Sequence, residues 1–293
     1  MSKGRGGGWA EGMESRTEVA RAELEVFADP AAVTHAAAEV FVGLAAQAVK
    51  ASERFSVALS GGSTPKALYE LLAIDEYARR VDWPRVHVFF GDERCVPPTD
   101  AQSNERMARL AMLDRVALPP ENVHPMRCAE DPEGAAAAYE RELRSFFVAA
   151  PARDVAATGP ADERRSGGTS ADAPERDRTF DLVLLGLGTN GHTASLFPGL
   201  SAVHEAERRV VAEYVAEVDQ WRMTLTASAI NAAADIAFLV TGAEKAAVLR
   251  RVLESRRDVD ATPAQAIAPH SGGRLRWLVD AAAAAELKRA VSS

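Results

Sequence analysis

The feature that most constrains this chain is a repeated alternation of a short apolar run, a polar glycine-bearing turn and a helical pattern. The run at 56–59 (SVAL) enters Ser-Gly-Gly-Ser-Thr-Pro, and 65–73 then carries apolar residues at helical spacing. The run at 86–90 (VHVFF) enters Gly-Asp-Glu-Arg and a helical pattern over 104–116. A further helix is expected over 135–148, and the run at 180–185 (FDLVLL) ends in Gly-Leu-Gly-Thr-Asn-Gly-His. Strands are expected at 210–215, 223–226 and 236–240, then a helix over 244–254, a strand at 275–279 and an Ala-rich helix over 281–291. Continuous apolar strands alternating with helices predict an α/β fold: a mostly parallel, doubly wound sheet with helices on both faces and a single main domain. In such sheets ligands bind beyond the carboxyl ends of the strands. The glycine-rich turns at 60–64, 91–94 and 186–192 all fall there.

Two stretches break the pattern. Residues 1–17 are rich in glycine and charge and read as a disordered tail, leaving 18–293 for the domain. Residues 151–179 contain one sizeable aliphatic side chain, Val155, and read as a mobile loop insertion or a linker. With 293 residues, 47% of them hydrophobic and 26% charged, the chain is long enough to bury a core. A net charge of −8 argues against a dedicated nucleic-acid or membrane-surface binder and requires a local cationic site for any anion. No apolar run is expected to approach the roughly 20 residues that span a bilayer, and the first residues lack a secretory core. Cys95 and Cys128 are too few for a disulfide framework or a thiolate cluster, so a reducing, cytoplasmic setting is the expectation.

The turns carry the chemistry. In Ser60–Pro65 two glycines admit backbone N–H groups to a ligand, Thr64 can cap the following helix and Pro65 suits its first turn. A helix N-terminus with free N–H donors is an anion site, here without a Walker A signature. The stretch 186–191 matches G-x-G-x-x-G, but Pro198 and Gly199 halt any long helix and no first βαβ unit contains it, so a dinucleotide site is not expected. His192, directly after that turn, is the one histidine of six placed at a strand end, where an imidazole suits a general base. Asp92 and Glu93 alternate in direction, so one is expected to face the cleft and the other to be structural. Arg94, Arg222 and Lys245 could supply cationic charge for a phosphate. No His or Cys spacing supports a metal site.

SGGSTP, GDER with Ser103-Asn104 downstream, FDLVLLGLG, GHTASLFPG, RMTLT, FLVTGAEKA and RLRWLVDAAAA resemble, in order and spacing, the 6-phosphogluconolactonase family, over residues 20–290 apart from the insertion. The resemblance implies hydrolysis of 6-phosphoglucono-δ-lactone in the pentose phosphate pathway, without metal or cofactor, on an α/β fold shared with sugar-phosphate isomerases and deaminases; a monomer or weak homo-oligomer is expected. Gly61, Gly62, Ser63 and Thr64 would cradle the phosphate, with Arg222 and Lys245 neutralising it. His192 would activate water, while Asp92 and Arg94 would line the sugar end. Asn190 departs from the pattern, since the family usually has an acidic residue two before the histidine. Two alternatives remain at this point. One is a glucosamine-6-phosphate deaminase or isomerase, disfavoured because no acid follows His192 within the next residues; the other is a non-catalytic sugar-phosphate-binding protein, favoured only by Asn190.

Overall fold

The computed structural model describes residues 22–148, 179–270 and 272–288. The tail expected at 1–17 and nearly all of the insertion expected at 151–179 therefore lie outside the described residues. The first of those described after the insertion, Thr179, is buried and donates its hydroxyl to the Ala229 carbonyl at 3.1 Å.

The parallel sheet is built from β1 (Ala22–Phe27), β2 (Phe55–Leu59), β3 (Val86–Phe90), β5 (Leu182–Leu185), β8 (Asp235–Val240) and β9 (Arg274–Asp280), in the order β1-β9-β8-β5-β2-β3. Strands β2, β5 and β8 are buried along their whole length, which is why their sequences are uninterrupted apolar runs. From β2 the chain steps outward to β3, then returns to the other side of β2 as β5. The strand order therefore reverses between β2 and β5, and a crevice opens beyond their carboxyl ends. The turns at 60–64 and 186–192 flank that crevice.

The helices are α1 (Pro30–Ser52), α2 (Ser63–Leu72), α3 (Asp75–Ala78), α4 (Asn104–Ala108), α5 (Pro132–Val148), α6 (Ala227–Asn231) and α7 (Ala246–Glu254). Asp29 caps α1 by accepting the Ala32 N–H. Contrary to the expectation that no apolar segment approaches membrane-spanning length, α1 has 23 residues and the hydropathy to do so. Its Val33, Ala37, Phe41 and Ala45 are buried in the shared core, with Phe41 edge-on to Phe55 of β2, so it serves as a core helix.

Other expectations are corrected. The strands at 210–215 and 223–226 do not join the parallel sheet. They form an antiparallel hairpin, β6 (Val210–Val215) and β7 (Gln220–Leu225), and β7 pairs with β4 (Asp92–Arg94). The Gly-Asp-Glu-Arg segment is thus a strand in a second, three-stranded sheet, with Gly91 marking the crossing. Its N–H donates to Leu59 O of the first sheet, and its carbonyl accepts from Leu225 N of the second. The helix expected over 104–116 is α-helical only to Ala108 and widens into a π turn at Arg109–Leu113. The Ala-rich segment, expected as a helix over 281–291, forms turns over 281–286 and no helix among its described residues. A segment this short needs tertiary packing to hold a helix, and among its described alanines only Ala283 is fully buried. Finally, Cys95 and Cys128, for which the sequence suggested no pairing, stand with Cα atoms 4.7 Å apart and are bridged across a separation of 33 residues. Among the described residues no His/Cys/Asp/Glu group has metal-binding geometry.

Candidate active site

A cavity of about 440 Å³ lies at the strand-order reversal, lined by Ser60–Pro65, Gly186–Asn190 and His192 from the parallel sheet. Asp92, Arg94 and Arg222 reach it from the second sheet, and Glu217, Val218 and Lys245 from neighbouring turns. All ten candidates singled out in the sequence therefore meet in one place.

Helix α2 starts earlier than expected. Gly62, with φ of 106°, is its N-cap, and no side chain caps it. Positive φ is open to glycine at little cost, and it turns the chain sharply enough for Ser63 to begin the helix. Thr64 is not the cap; its hydroxyl lies 2.7 Å from that of Thr241, which ties the 60–64 turn to the end of β8. The first N–H groups of α2 are left facing the cavity without a capping acceptor. A Cβ on Gly61 would stand 2.1 Å from Oδ1 of Asn104, so this position must be glycine for the turn to pack against α4.

The cations are arranged for an anion. Arg94 and Arg222 are direct cross-strand partners in the β4–β7 ladder, which sets two guanidinium groups side by side. Burial, then Arg94, pull the Arg222 pKa downward, against the opposing pull of Asp92 and Glu93. An arginine in that position stays charged, so the shift measures how poorly its charge is compensated. Both Nε atoms are buried without a hydrogen-bond partner. Neither Arg222 nor Lys245 forms an ion pair among the described residues.

Asp92 and Glu93 divide as the alternation predicts. Glu93 is structural: its carboxylate accepts from the Arg94, Asn104 and Glu105 N–H groups and from the Ser103 hydroxyl, at 2.7–3.0 Å. Burial raises its pKa against the pull of these bonds. Asp92 faces the cavity, held by the Ser195 hydroxyl at 2.7 Å. Ser195 and Asn104, which donates to Asp92 O at 2.9 Å, orient the strand although neither was assigned a role from sequence.

His192 is half-buried and stacked on Phe197, with ring centroids 4.2 Å apart. Its Nδ1 lies 2.6 Å from Oδ1 of Asn190, which also accepts the His192 N–H at 3.1 Å. The Asn190 amide nitrogen donates to both oxygens of Glu217, at 3.2 and 3.0 Å. A carboxylate and a backbone N–H together determine which end of the amide is which. Oδ1 must be the acceptor, so Nδ1 carries the imidazole proton and Nε2 is left free to take another. Burial lowers the His192 pKa; Asp92 opposes this, Arg222 and Lys245 reinforce it, and Glu217 opposes it. Burial is the largest of these effects, so the ring is held below the ordinary histidine range.

The apparent dinucleotide signature has another explanation. A Cβ on Gly186 would make only ordinary contact with Ser60, Gly191 has φ of 97°, and Gly188 passes so close to His192 that a Cβ there would lie 2.2 Å from the ring. Two of the three glycines thus serve to seat the histidine. Glu217 was missed altogether. It is an exposed glutamate in the β6–β7 turn, 27 positions from Asn190, and nothing local in the sequence distinguishes it.

The chain has counterparts among known proteins. The family profile described as glucosamine-6-phosphate isomerases/6-phosphogluconolactonase matches residues 28–277. The chain is 40% identical over 266 residues to a 6-phosphogluconolactonase of Nostoc sp., covering 90% of this chain and 98% of that one. It is 33% identical over 272 residues to that of Mycobacterium leprae, covering 91% and 98%. Among solved structures, the 6-phosphogluconolactonase of Trypanosoma brucei superposes with a TM-score of 0.73 at 28% identity, covering 91% of this chain and 98% of that one. The protein belongs to the glucosamine-6-phosphate isomerase/6-phosphogluconolactonase family. A monomeric glucosamine-6-phosphate deaminase shares the fold at 18% identity, with a TM-score of 0.70.

Proposed function

We propose that the protein hydrolyses 6-phosphoglucono-δ-lactone to 6-phosphogluconate, a step of the pentose phosphate pathway, with His192 as the base. The observation that carries this reading is His192, whose Nδ1 is engaged by Asn190 so that Nε2 can take a proton, in the same cavity as a helix N-terminus without a side-chain cap and two cations that form no ion pair among the described residues. The substrate phosphate docks on the 61–64 turn, where α2 N–H groups and its dipole favour an anion, and Arg222 and Lys245 neutralise it. Asp92 and Arg94 line the sugar end.

Nε2 removes a proton from water as the oxygen adds to the lactone carbonyl carbon. The tetrahedral intermediate then expels the ring oxygen, which takes the proton back from the imidazolium. The ring opens to a carboxylic acid that ionises, so the reaction is followed by acid release. Asn190 does not prevent this, because its carbonyl keeps the Nδ1 proton in place. We place the enzyme in the cytoplasm, where the Cys95–Cys128 bridge would open to two thiols.

The test is acid release from freshly generated lactone, corrected for spontaneous hydrolysis, in wild type and His192→Ala. The variant should fold normally and lose about 10²–10⁴-fold in kcat/KM. Retained activity in the variant would remove His192 as base, and no rate above background in wild type would remove the lactonase reading.

A further inference from the structure

The Nδ1 partner of His192 is an uncharged amide, and the nearest carboxylate on that side stands one hydrogen bond further away. We propose that Glu217 is a positioning residue for His192, acting through Asn190: its carboxylate locks the amide and supplies, at one remove, the negative charge that favours the imidazolium. This inference rests on the reading of His192 as the base. The geometry is a linear relay, Glu217 to Asn190 to Nδ1 of His192, with links of 3.0 and 2.6 Å. A doubly engaged carboxylate polarises the amide, so its carbonyl becomes a better acceptor as the ring gains a proton.

The other charges around the ring do not duplicate this role. Asp92 approaches from β4, Arg222 from β7, and Lys245 from the turn before α7. Arg94 and Glu244 line the same cavity, and Arg251 lies behind Gly191. Among the described charged residues, only Glu217 is coupled to Nδ1 by hydrogen bonds. It belongs to the turn of the β6–β7 hairpin, so the second sheet contributes to the base held by the first.

The arrangement predicts a dependence between positions 190 and 217. With aspartate at 190, an oxygen would replace the amide nitrogen 3.0–3.2 Å from both Glu217 oxygens. Two carboxylates that close repel strongly. Glutamine at 217 would relieve this by donating to the new carboxylate, which would then hold Nδ1 directly.

The experiment compares Glu217→Ala, Glu217→Gln, Asn190→Asp and the double variant Asn190→Asp/Glu217→Gln, by pH profiles of kcat and kcat/KM and by NMR titration of His192. Glu217→Ala should lower kcat by about 10-fold, a fraction of the about 10²–10⁴-fold that the base itself supplies, with KM changed less than about 2-fold. Its His192 pKa and acid limb should move down. Glu217→Gln retains a carbonyl acceptor for the amide, so kcat should partly recover while the pKa stays low. Asn190→Asp alone should be impaired and the double variant should recover to within about 3-fold of wild type, a coupling that independent sites do not show. Unchanged kcat and His192 pKa in both Glu217 variants, or additive effects in the double variant, would overturn the proposal. Activity surviving in His192→Ala would instead overturn the underlying assignment, so the two failures are distinguishable.

Discussion

Replacing Gly188 by alanine puts a methyl carbon where the His192 ring now lies. The added Cβ would stand 2.2 Å from both Cε1 and Nδ1 and 2.7 Å from Cγ. Carbon contacts settle near about 3.5 Å, so the ring must retreat by more than about 1 Å. It has little room to do so, because it is already stacked on Phe197 at 4.2 Å and bonded to Asn190 at 2.6 Å. The backbone itself is no obstacle, since Gly188 is not among the glycines with positive φ. The effect should therefore fall on catalysis rather than on folding. A displacement of about 1 Å typically costs about 10²-fold, and complete loss of the base about 10²–10⁴-fold. We expect kcat/KM to drop by about 10²–10³-fold. Overpacking of this kind costs about 1–3 kcal/mol, or a few degrees in Tm for a domain of this size. Acid release from fresh lactone, with a thermal melt of the same sample, measures both. Gly186→Ala is the control: its Cβ would meet nothing nearer than Ser60 Oγ at 3.9 Å, so it should cost far less. Wild-type turnover in a folded Gly188→Ala enzyme would refute the placement of His192 as the base.

Arg222→Met and Lys245→Met should each lower kcat/KM for the phosphorylated lactone by about 10–100-fold, the worth of one charge-assisted contact. Turnover of unphosphorylated gluconolactone, slow in all forms, should hardly change; an equal fall on both substrates would show that these cations do not read the phosphate. A separate prediction concerns His87, whose pKa is lowered to about 4 chiefly by burial, with help from His124 and Arg54. In the unfolded chain it should titrate near about 6.5. Between those values the unfolded state binds more protons, so stability should fall as pH drops from about 6.5 toward about 4. The shift corresponds to at most about 3 kcal/mol, and partial exposure reduces that to about 1 kcal/mol. Urea unfolding of wild type and His87→Gln at pH 7 and 4.5 measures the difference, and equal pH sensitivity in the two would refute it.

Much of the site was legible in the residues themselves. The runs SVAL, VHVFF and FDLVLL are buried strands because burial on both faces demands continuous apolar sequence, and that pattern is local. The turns that follow them fall at carboxyl ends by chain order alone, which is enough to place Gly61–Thr64, Asp92 and His192 near one crevice. The split between Asp92 and Glu93 follows from strand alternation, which is equally local. Tertiary structure decided what depends on distant partners. The segments of the β6–β7 hairpin read as ordinary strands and β4 as a turn, and only their pairing makes a second sheet that brings Arg222 beside Arg94. The Cys95–Cys128 bridge and the start of α2 at Ser63 likewise depend on how separate segments meet. The sharpest case is Asn190. In sequence it is a departure that weakens the base, because a side-chain amide has no charge and no defined orientation. In the fold, Glu217 arrives from a surface turn 27 positions away and supplies both. Periodicity describes what a residue does within its own segment, whereas a hydrogen bond across that span exists only once two sheets have packed.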